Sequence, residues 1–395
     1  MFDILRVLAL LAGMVFVASA CAPAAVPAQS GLPSAESAAA RTAPAGTSSP
    51  IPAPTKYIPV GFIGMPKPPT SFDHALIDPA SKTLFLADRS NSGIDVITLQ
   101  GELFVRTIGG FVGLRGPADS GPNDLALVPE LNQLWVTDGD SSVKVIDLAT
   151  RSVVATVPTG GRGRADDIAY DARDKLIAVG NDSDDPPFLT FISVPDRKTI
   201  GKLEFPGAGG LEMVLWSADR GVFYQAVPST KTNPGGEIDL VDPKVMKVTK
   251  VFALRDCNPH GIAIGPRGQM LLGCSPDALT NGARAQVQVI DMESGNLVAA
   301  ITETGAADIV WYNPGANQYF VAASGMTADG TKTGAPTPAL GIIDAASNRW
   351  LQNVSTFAGA HSVVGDPATN HVYVPLPAQG FTVLGGGSAV LNVDR

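Results

Sequence analysis

From residue 73 onward, one pattern of apolar and polar positions recurs along the chain. A polar or histidine residue opens it, three or four apolar residues follow, a turn built around Asp-Pro or its equivalent comes next, and a second apolar run closes it. The copies are DHALIDPASKTLFLA, NDLALVPELNQLWVT, DDIAYDARDKLIAVG, LEMVLWSADRGVFYQAV, PHGIAIGPRGQMLLG, ADIVWYNPGANQYFVAA and AHSVVGDPATNHVYVPL. Their turn residues are Pro79, Pro129, Ala172, Ser217, Pro266, Pro314 and Pro367, at steps of 43 to 53 residues. A third apolar run follows each of the first six copies, often ending in Asp (IDVITL, VKVIDL, LTFISV, EIDLVD, VQVIDM, LGIIDA). A fourth comes after it (FVRTIGG, VVATVPTG, TIGKLEFPG, VTKVFAL, LVAAITETG, WLQNVST). Short alternating runs between turn signals are strands, and no segment has helical periodicity of useful length. Four strands in each unit of about 40–50 residues is the signature of a β-propeller blade. The pattern therefore predicts an all-β fold, a seven-bladed β-propeller over residues 56–395. The seventh unit lacks a clear fourth strand, and KYIPVGFIG, ahead of the first unit, reads as one. Residues near 57–64 are expected to pair into the blade that holds residues 360–395, closing the ring and leaving no free edge.

The first strand of a blade lines the central channel, so the residues that open the repeats ring its mouth. They form two columns: Asp73-His74, Asn123-Asp124, Asp166-Asp167, Leu211-Glu212, His260-Gly261, Asp308-Ile309 and His361-Ser362. Three of the four histidines of the chain stand here, with six carboxylates. Successive strand residues point to opposite sides. His260, Asp308 and His361 then share one column, and His74, Asp124, Asp167 and Glu212 the other. Carboxylates crowded round one channel repel each other unless a cation or a proton relieves them. Imidazole with carboxylate suits a divalent ion such as Zn²⁺, Mn²⁺ or Fe²⁺, which polarises a carbonyl or acidifies a water. His74, His260, His361 and Glu212 are the candidate metal ligands. His260, His361 and Glu212 are the candidate catalytic groups, as a general base needs an orienting carboxylate nearby. Asp73, Asn123, Asp124, Asp166, Asp167 and Asp308 are candidate ligand contacts. The plainer alternative is a solvated mouth whose polar groups satisfy the backbone and ordered water.

The loops after each second strand are expected on the same face: Asp88-Arg89-Ser90-Asn91, Asp138-Gly139-Asp140 and Asn181-Asp182-Ser183-Asp184-Asp185. The last run resembles a Ca²⁺ loop in composition but lacks the spaced ligands and final bidentate Glu. Arg162 and Arg164 are placed either to meet an anionic ligand or to neutralise the carboxylates. His371 falls at a turn and reads as structural.

Composition adds compartment and partner. Gly 42 and Pro 32 in 395 residues, with 16% charged residues, suit many short strands. The net charge of -9 and the lack of a Lys/Arg run argue against nucleic acid. Residues 1–21 have Arg6, an apolar run from Val7 to Val17, and Ala18-Ser19-Ala20-Cys21. They read as a signal peptide, too short to span a bilayer. Ala18-Ser19-Ala20 fits ordinary cleavage and secretion. With Cys21 the segment also resembles a lipobox, in which Cys21 is lipidated and becomes the only membrane anchor. Residues 22–55, rich in Ala, Pro and Ser, read as a disordered linker. An exported compartment permits a disulfide between Cys257 and Cys274. The intervening NPHGIAIGPRGQMLLG reads as a hairpin pairing Gly265 with Gly268, which sets Cys274 opposite Pro259. Two buried free thiols are the alternative.

IDVITL, VKVIDLATRSVVATVPTG and PHGIAIGP resemble the secreted YVTN-type β-propeller superfamily over about residues 56–395. GLEMVLW, NPGGEIDLVDP, DIVWYNPGANQYFVAAS and AHSVVGDPATNHVYVPL are similar to a group of exported propellers within it. More distantly the chain resembles gluconolactonase-type lactonases and streptogramin lyases, which implies a metal held at the channel. It departs from the former in having seven repeats rather than six. There is no G-x-S-x-G, H-E-x-x-H, C-x-x-C or P-loop motif, which removes support from serine hydrolase, zincin, haem and nucleotidase readings. Two function classes remain. One is a monomeric exported propeller binding a small molecule or divalent metal at its channel mouth, with metal-assisted hydrolysis or lyase chemistry. The other is a cell-surface interaction module for protein or polysaccharide.

Overall fold

Each apolar run of the repeat becomes a strand of a four-stranded antiparallel sheet, and there are seven such sheets. The computed structural model describes residues 56–386. The expectations for the signal peptide, Cys21, the 22–55 linker and the last nine residues lie outside that span. The innermost strands, called strand A of each blade, are Ala75–Asp78, Leu125–Val128, Ile168–Asp171, Val214–Ser217, Pro259–Ile264, Val310–Asn313 and Val364–Gly365. Strands B, C and D follow outward in chain order in blades 1 to 6. Strand B is almost wholly buried, as in Gln133–Asp138 and Gln318–Ala323, because neighbouring blades cover both its faces. Strand D lies outermost and carries the exposed apolar residues Leu103, Val154 and Ile200.

Blade 7 is completed from the other end of the chain, as the sequence pattern predicts. Tyr57–Gly64 pairs antiparallel with Gly380–Gly386, from Tyr57 opposite Gly386 to Gly64 opposite Gly380. Tyr57 anchors the strand. Its ring is 1% exposed and meets Phe320 edge-on at 5.4 Å, and its hydroxyl donates to Gln318 at 2.9 Å. The Gln352 side chain bonds both the N–H and the C=O of Tyr57 at 2.9 Å. The closing strand is thus tied to blade 6 as well as to blade 7.

The register of the repeats needs one correction. Ser217 is the last residue of strand A in blade 4, so the position matching Pro79 is Ala218. Backbone pairing agrees: Glu212 N–H donates to Ala226, just as Asp73 N–H donates to Ala87 and Asp166 N–H to Gly180. Glu212 therefore belongs with Asp73, Asp166, His260, Asp308 and His361, and Met213 takes the place beside His74, Asp124 and Asp167. A one-residue slip in a strand moves every side chain to the other face, and LEMVLWSADRG has no proline to mark the turn.

Cys257 and Cys274 form a disulfide. Cys274 does stand opposite Pro259, but by a different route from the simple hairpin. Gly265 N–H donates to Gln269, one residue beyond Gly268, and an irregularity between Pro259 and Ile262 absorbs the difference. A bulge of this kind re-aims the side chains it contains, here His260. Gly261 is required beside it, because a Cβ there would lie 2.4 Å from the carbonyl oxygen of Asp308.

Candidate functional site at the channel mouth

The residues that open strand A in successive blades meet at one end of the channel, and each ring histidine there faces a carboxylate. His74 lies between blades 2 and 3, with Nδ1 3.2 Å from Asp124 and Nε2 3.3 Å from Asp167. His260 sits in the same way between blades 4 and 6, with Nε2 3.7 Å from Glu212 and Nδ1 3.3 Å from Asp308. In each trio, one ligand atom per residue can be chosen so that all lie within 4.8 Å of one another. His361 approaches Asp73 at 3.9 Å, donates from Nδ1 to the carbonyl oxygen of Gly359 at 2.8 Å, and stacks flat on Phe72 at 4.9 Å. The proposed ring residues are therefore all brought to one mouth, but as two separate trios, an outlying His361, and Asp73, Asn123 and Asp166 gathered around Arg89.

Two guanidinium groups divide the ring into unlike halves. Arg89, from the loop after strand B of blade 1, binds Asp73, donates to Asn123 at 2.8 Å, and lies 3.9 Å from Asp166. Arg164 binds Asp166 at 2.7 Å and Asp182 at 2.8 Å. Arg164 thus neutralises carboxylates, and two of the three acids in the run 181–185 are engaged by the neighbouring loop: Asp182 by Arg164, Asp184 by the N–H groups of Arg162 and Gly163. Both oxygens of Asp124 are also used, by the N–H groups of Leu125 at 2.7 Å and Ile168 at 3.0 Å. Blades 4 to 6 bring no arginine into contact with Glu212, His260 or Asp308 among the described residues. Their side chains are 23%, 20% and 36% exposed, against 15%, 12% and 4% for His74, Asp124 and Asp167. The accessible part of the ring is the part without fixed cations.

Titration follows from that layout. Burial works to lower His260, but the Glu212 charge and the bond to Asp308 override it and raise its pKa to about 10. Asp308 is held well below its usual range; burial opposes this, and the His260 bond and charge prevail. Glu212 is pushed up to about 8, by burial first and then by the charges of Asp167, Asp308 and Asp182, with His260 pulling the other way. His74 is likewise raised well above its usual value: burial opposes, and Asp124, Asp167 and Asp73 prevail. Burial raises Asp124 to about 7 against the opposing charge of His74. One oxygen of Asp167, Oδ1, is buried and makes no hydrogen bond, although His74 Nε2 is 3.3 Å away.

Beyond the ring the channel continues as a cavity of about 340 Å³, bounded at its inner end by His74 and Asp124 and elsewhere by apolar side chains. The mouth face also carries a groove of about 600 Å³ between blades 4 and 5, lined by Ser229, Thr230, Lys231, Asp256, Asn258 and Asn281. His371 lies away from the ring, bound to Glu102 at 2.7 Å, which also accepts from Tyr373 at 3.1 Å. The sequence reading placed Arg89 on this face without giving it a role. The available signal was its place in the loop after strand B, and its acidic partners come from other blades.

No protein-family model and no curated protein matches the chain. Among solved structures, a chain of Kuenenia stuttgartiensis hydrazine synthase is similar, with a TM-score of 0.64 and 14% identity, covering 86% of this chain and 100% of that one. At that identity the likeness shows the seven-bladed propeller fold and nothing about chemistry.

Proposed function

We propose that the protein is an exported ligand-binding propeller whose accessible half-ring, Glu212, His260 and Asp308, holds a divalent metal ion. The observation that carries this reading is the convergence of those three side chains within 4.8 Å, open to solvent and without an arginine. The donor set fits. Mixed nitrogen and oxygen donors suit borderline ions such as Zn²⁺ or Mn²⁺, and a bound cation offsets the burial and the neighbouring carboxylate charges that raise the Glu212 carboxyl. His260 has one ring nitrogen toward each carboxylate. An ion would take one of them, and a carboxylate on the other would orient the ring. When bound, such an ion supplies Lewis-acid polarisation of a small ligand's carbonyl or acidifies a water, as hydrolysis or lyase chemistry requires. The remaining ring residues hold the frame. Arg89 and Arg164 fix Asp73 and Asp166, and His361, stacked on Phe72 and bonded to Gly359, turns its Nε2 toward Asp73. The trio His74, Asp124 and Asp167 fits an ion less well, since it is more buried and both Asp124 oxygens already accept backbone N–H groups.

The test is elemental analysis of the protein purified without chelator, followed by calorimetric titration of the chelated protein with Mn²⁺ and Zn²⁺. One equivalent bound by the wild type and lost in His260→Ala and Glu212→Gln is expected. A protein that takes up neither ion, or binds equally in both variants, overturns the reading.

Export and the lipid anchor at Cys21 are part of the same proposal, with the protein acting as a monomer outside a membrane. The Cys257–Cys274 disulfide supports an oxidising compartment. A second reading, an interaction module for polysaccharide, is favoured by the hydroxyl- and amide-lined groove between blades 4 and 5. Glycan-array binding that survives His260→Ala would favour it over the metal site.

A further inference from the structure

The channel behind the ring is walled by apolar side chains. Its cavity of about 340 Å³ is lined deep inside by Leu125, Ile168, Met213, Ile262 and Ile309, all buried. Nearer the A–B turns, Leu76, Leu215, Ile264 and Trp311 are only half-buried. The polar side chains among the lining are already engaged. At the inner end, Asp124 accepts the N–H groups of Leu125 and Ile168, and His74 lies between Asp124 and Asp167. Tyr312 donates its hydroxyl to Asn317 at 2.9 Å, and Arg173 covers the Trp216 ring at 5.1 Å. The indole N–H of Trp311 is shut off from solvent. The inner edges of strand A are answered in the same way. The N–H of Ile262 meets the Met213 sulfur at 3.3 Å, and that of Ile309 the carbonyl oxygen of His361 at 3.2 Å.

Such walls select by size and apolarity. Water in the cavity finds few partners, so an apolar molecule displaces it favourably. A charged molecule would either carry its charge in unpaired, at a large cost, or leave part of its body outside. An apolar surface open to solvent marks a ligand site when its rim is polar. Here the rim is the A–B turns, where charges pair with one another: Lys175 with Glu130 at 2.7 Å and Arg173 with Asp174 at 2.9 Å. Volume sets the size of the occupant. An apolar cavity of about 150 Å³ takes up benzene. The channel cavity is roughly twice as large, which is room for two fused rings.

We propose that the channel binds a neutral, apolar molecule the size of a fused bicyclic hydrocarbon, which enters from the face of the A–B turns. This site is separate from the metal site at the mouth and does not rest on that reading.

Four probes separate size from charge: naphthalene, benzene, 1-naphthoate and 1-naphthylmethylamine. Equilibrium dialysis of the intact protein should show one equivalent of naphthalene bound. Its binding should be at least roughly tenfold tighter than that of benzene, because more apolar area is buried. It should exceed the binding of either charged analogue by at least roughly the same factor, because their charge finds no partner on the walls. Leu215→Trp should fill the opening and abolish naphthalene binding while leaving the circular dichroism of the sheets unchanged. Leu76→Phe, a smaller enlargement on another blade, should weaken it and serves if Leu215→Trp does not fold. Three results overturn the proposal. They are no naphthalene bound at its solubility limit, equal or tighter binding of benzene or a charged analogue, and naphthalene binding unchanged by the substitutions. The four-probe comparison on the wild type stands even if neither variant folds.

Discussion

Replacing Glu212 by glutamine keeps the shape of the side chain and removes its titration, so the variant reads out the crowding of the ring. In the folded protein the Glu212 carboxyl is raised from 4.5 to about 8, chiefly by burial. A folded value above the unfolded one means that the native state holds the proton more tightly. The stabilisation is complete below pH 4.5 and is lost as pH rises through about 8. At 1.36 kcal/mol per pH unit, that interval sets an upper limit of about 5 kcal/mol. With an unfolding entropy of about 2.1 cal/mol/K per residue over a domain of this size, the limit corresponds to roughly 7 °C in Tm. Thermal unfolding of wild type and Glu212→Gln should be followed from pH 4.5 to 9, with and without Mn²⁺. Without metal, the wild type should lose stability relative to the variant across that range. A residual fall in the variant belongs to the other groups whose raised values have the same sign, His260, His74 and Asp124 among them. Added Mn²⁺ should flatten the wild-type curve, because the ion takes the place of the proton, and leave the variant unchanged. Parallel curves for the two proteins would refute the claim that burial, with the neighbouring carboxylates, holds Glu212 neutral, and with it the electrostatic case for a cation there.

Two further outcomes test the frame that carries the site. Tyr57→Ala should lower stability by about 3–5 kcal/mol, the usual cost of emptying a buried aromatic site, and Tyr57→Phe by about 1 kcal/mol for the bond to Gln318. A urea midpoint unmoved by Tyr57→Ala would mean that residues 57–64 do not close the ring. Removing the disulfide by Cys257→Ala with Cys274→Ala, a separation of 17 residues, should cost about 3 kcal/mol through a freer unfolded chain. A double variant as stable as the wild type at equal pH would show that the bridge constrains nothing.

The fold was legible because a blade is a local object. Each one is four short alternating strands, and proline or an aspartate turn punctuates most of them, so counting turns counts blades. The closing strand was legible for a related reason, since a unit short of one strand and a spare strand at the other end of the chain have one economical solution. The columns of the ring were less secure, because they depend on single-residue register. Where the turn lacks proline, at Ser217-Ala218, the alignment slipped by one and set Glu212 in the wrong column. Where strand A bulges, at His260-Gly261, the spacing in sequence hides which way the imidazole faces. The arginines were beyond the repeat pattern altogether. Arg89 and Arg164 come from loops, whose lengths differ between blades, and their acidic partners lie in other blades.

The asymmetry of the ring is the feature that turns a repetitive fold into a site. Seven similar strands A deliver seven polar residues to the mouth, from Asp73 to His361, but the next position differs by blade. It is His74, Asp124 and Asp167 in blades 1 to 3, and Met213, Gly261, Ile309 and Ser362 in blades 4 to 7. In the first group the second layer is charged, closely packed, and faces a ring side braced by two arginines, so its charges satisfy each other. In the second group the layer is small or apolar, and the residues above it have no fixed cation to answer them. The same change places apolar walls directly behind Glu212, His260 and Asp308, where they exclude water from one side and strengthen the charges on the other. Substituting Met213 by aspartate would extend the charged layer into blade 4. It should raise the Glu212 carboxyl further, seen as a higher pH at which the stability of the protein falls, and admit water to the apolar wall behind the ring.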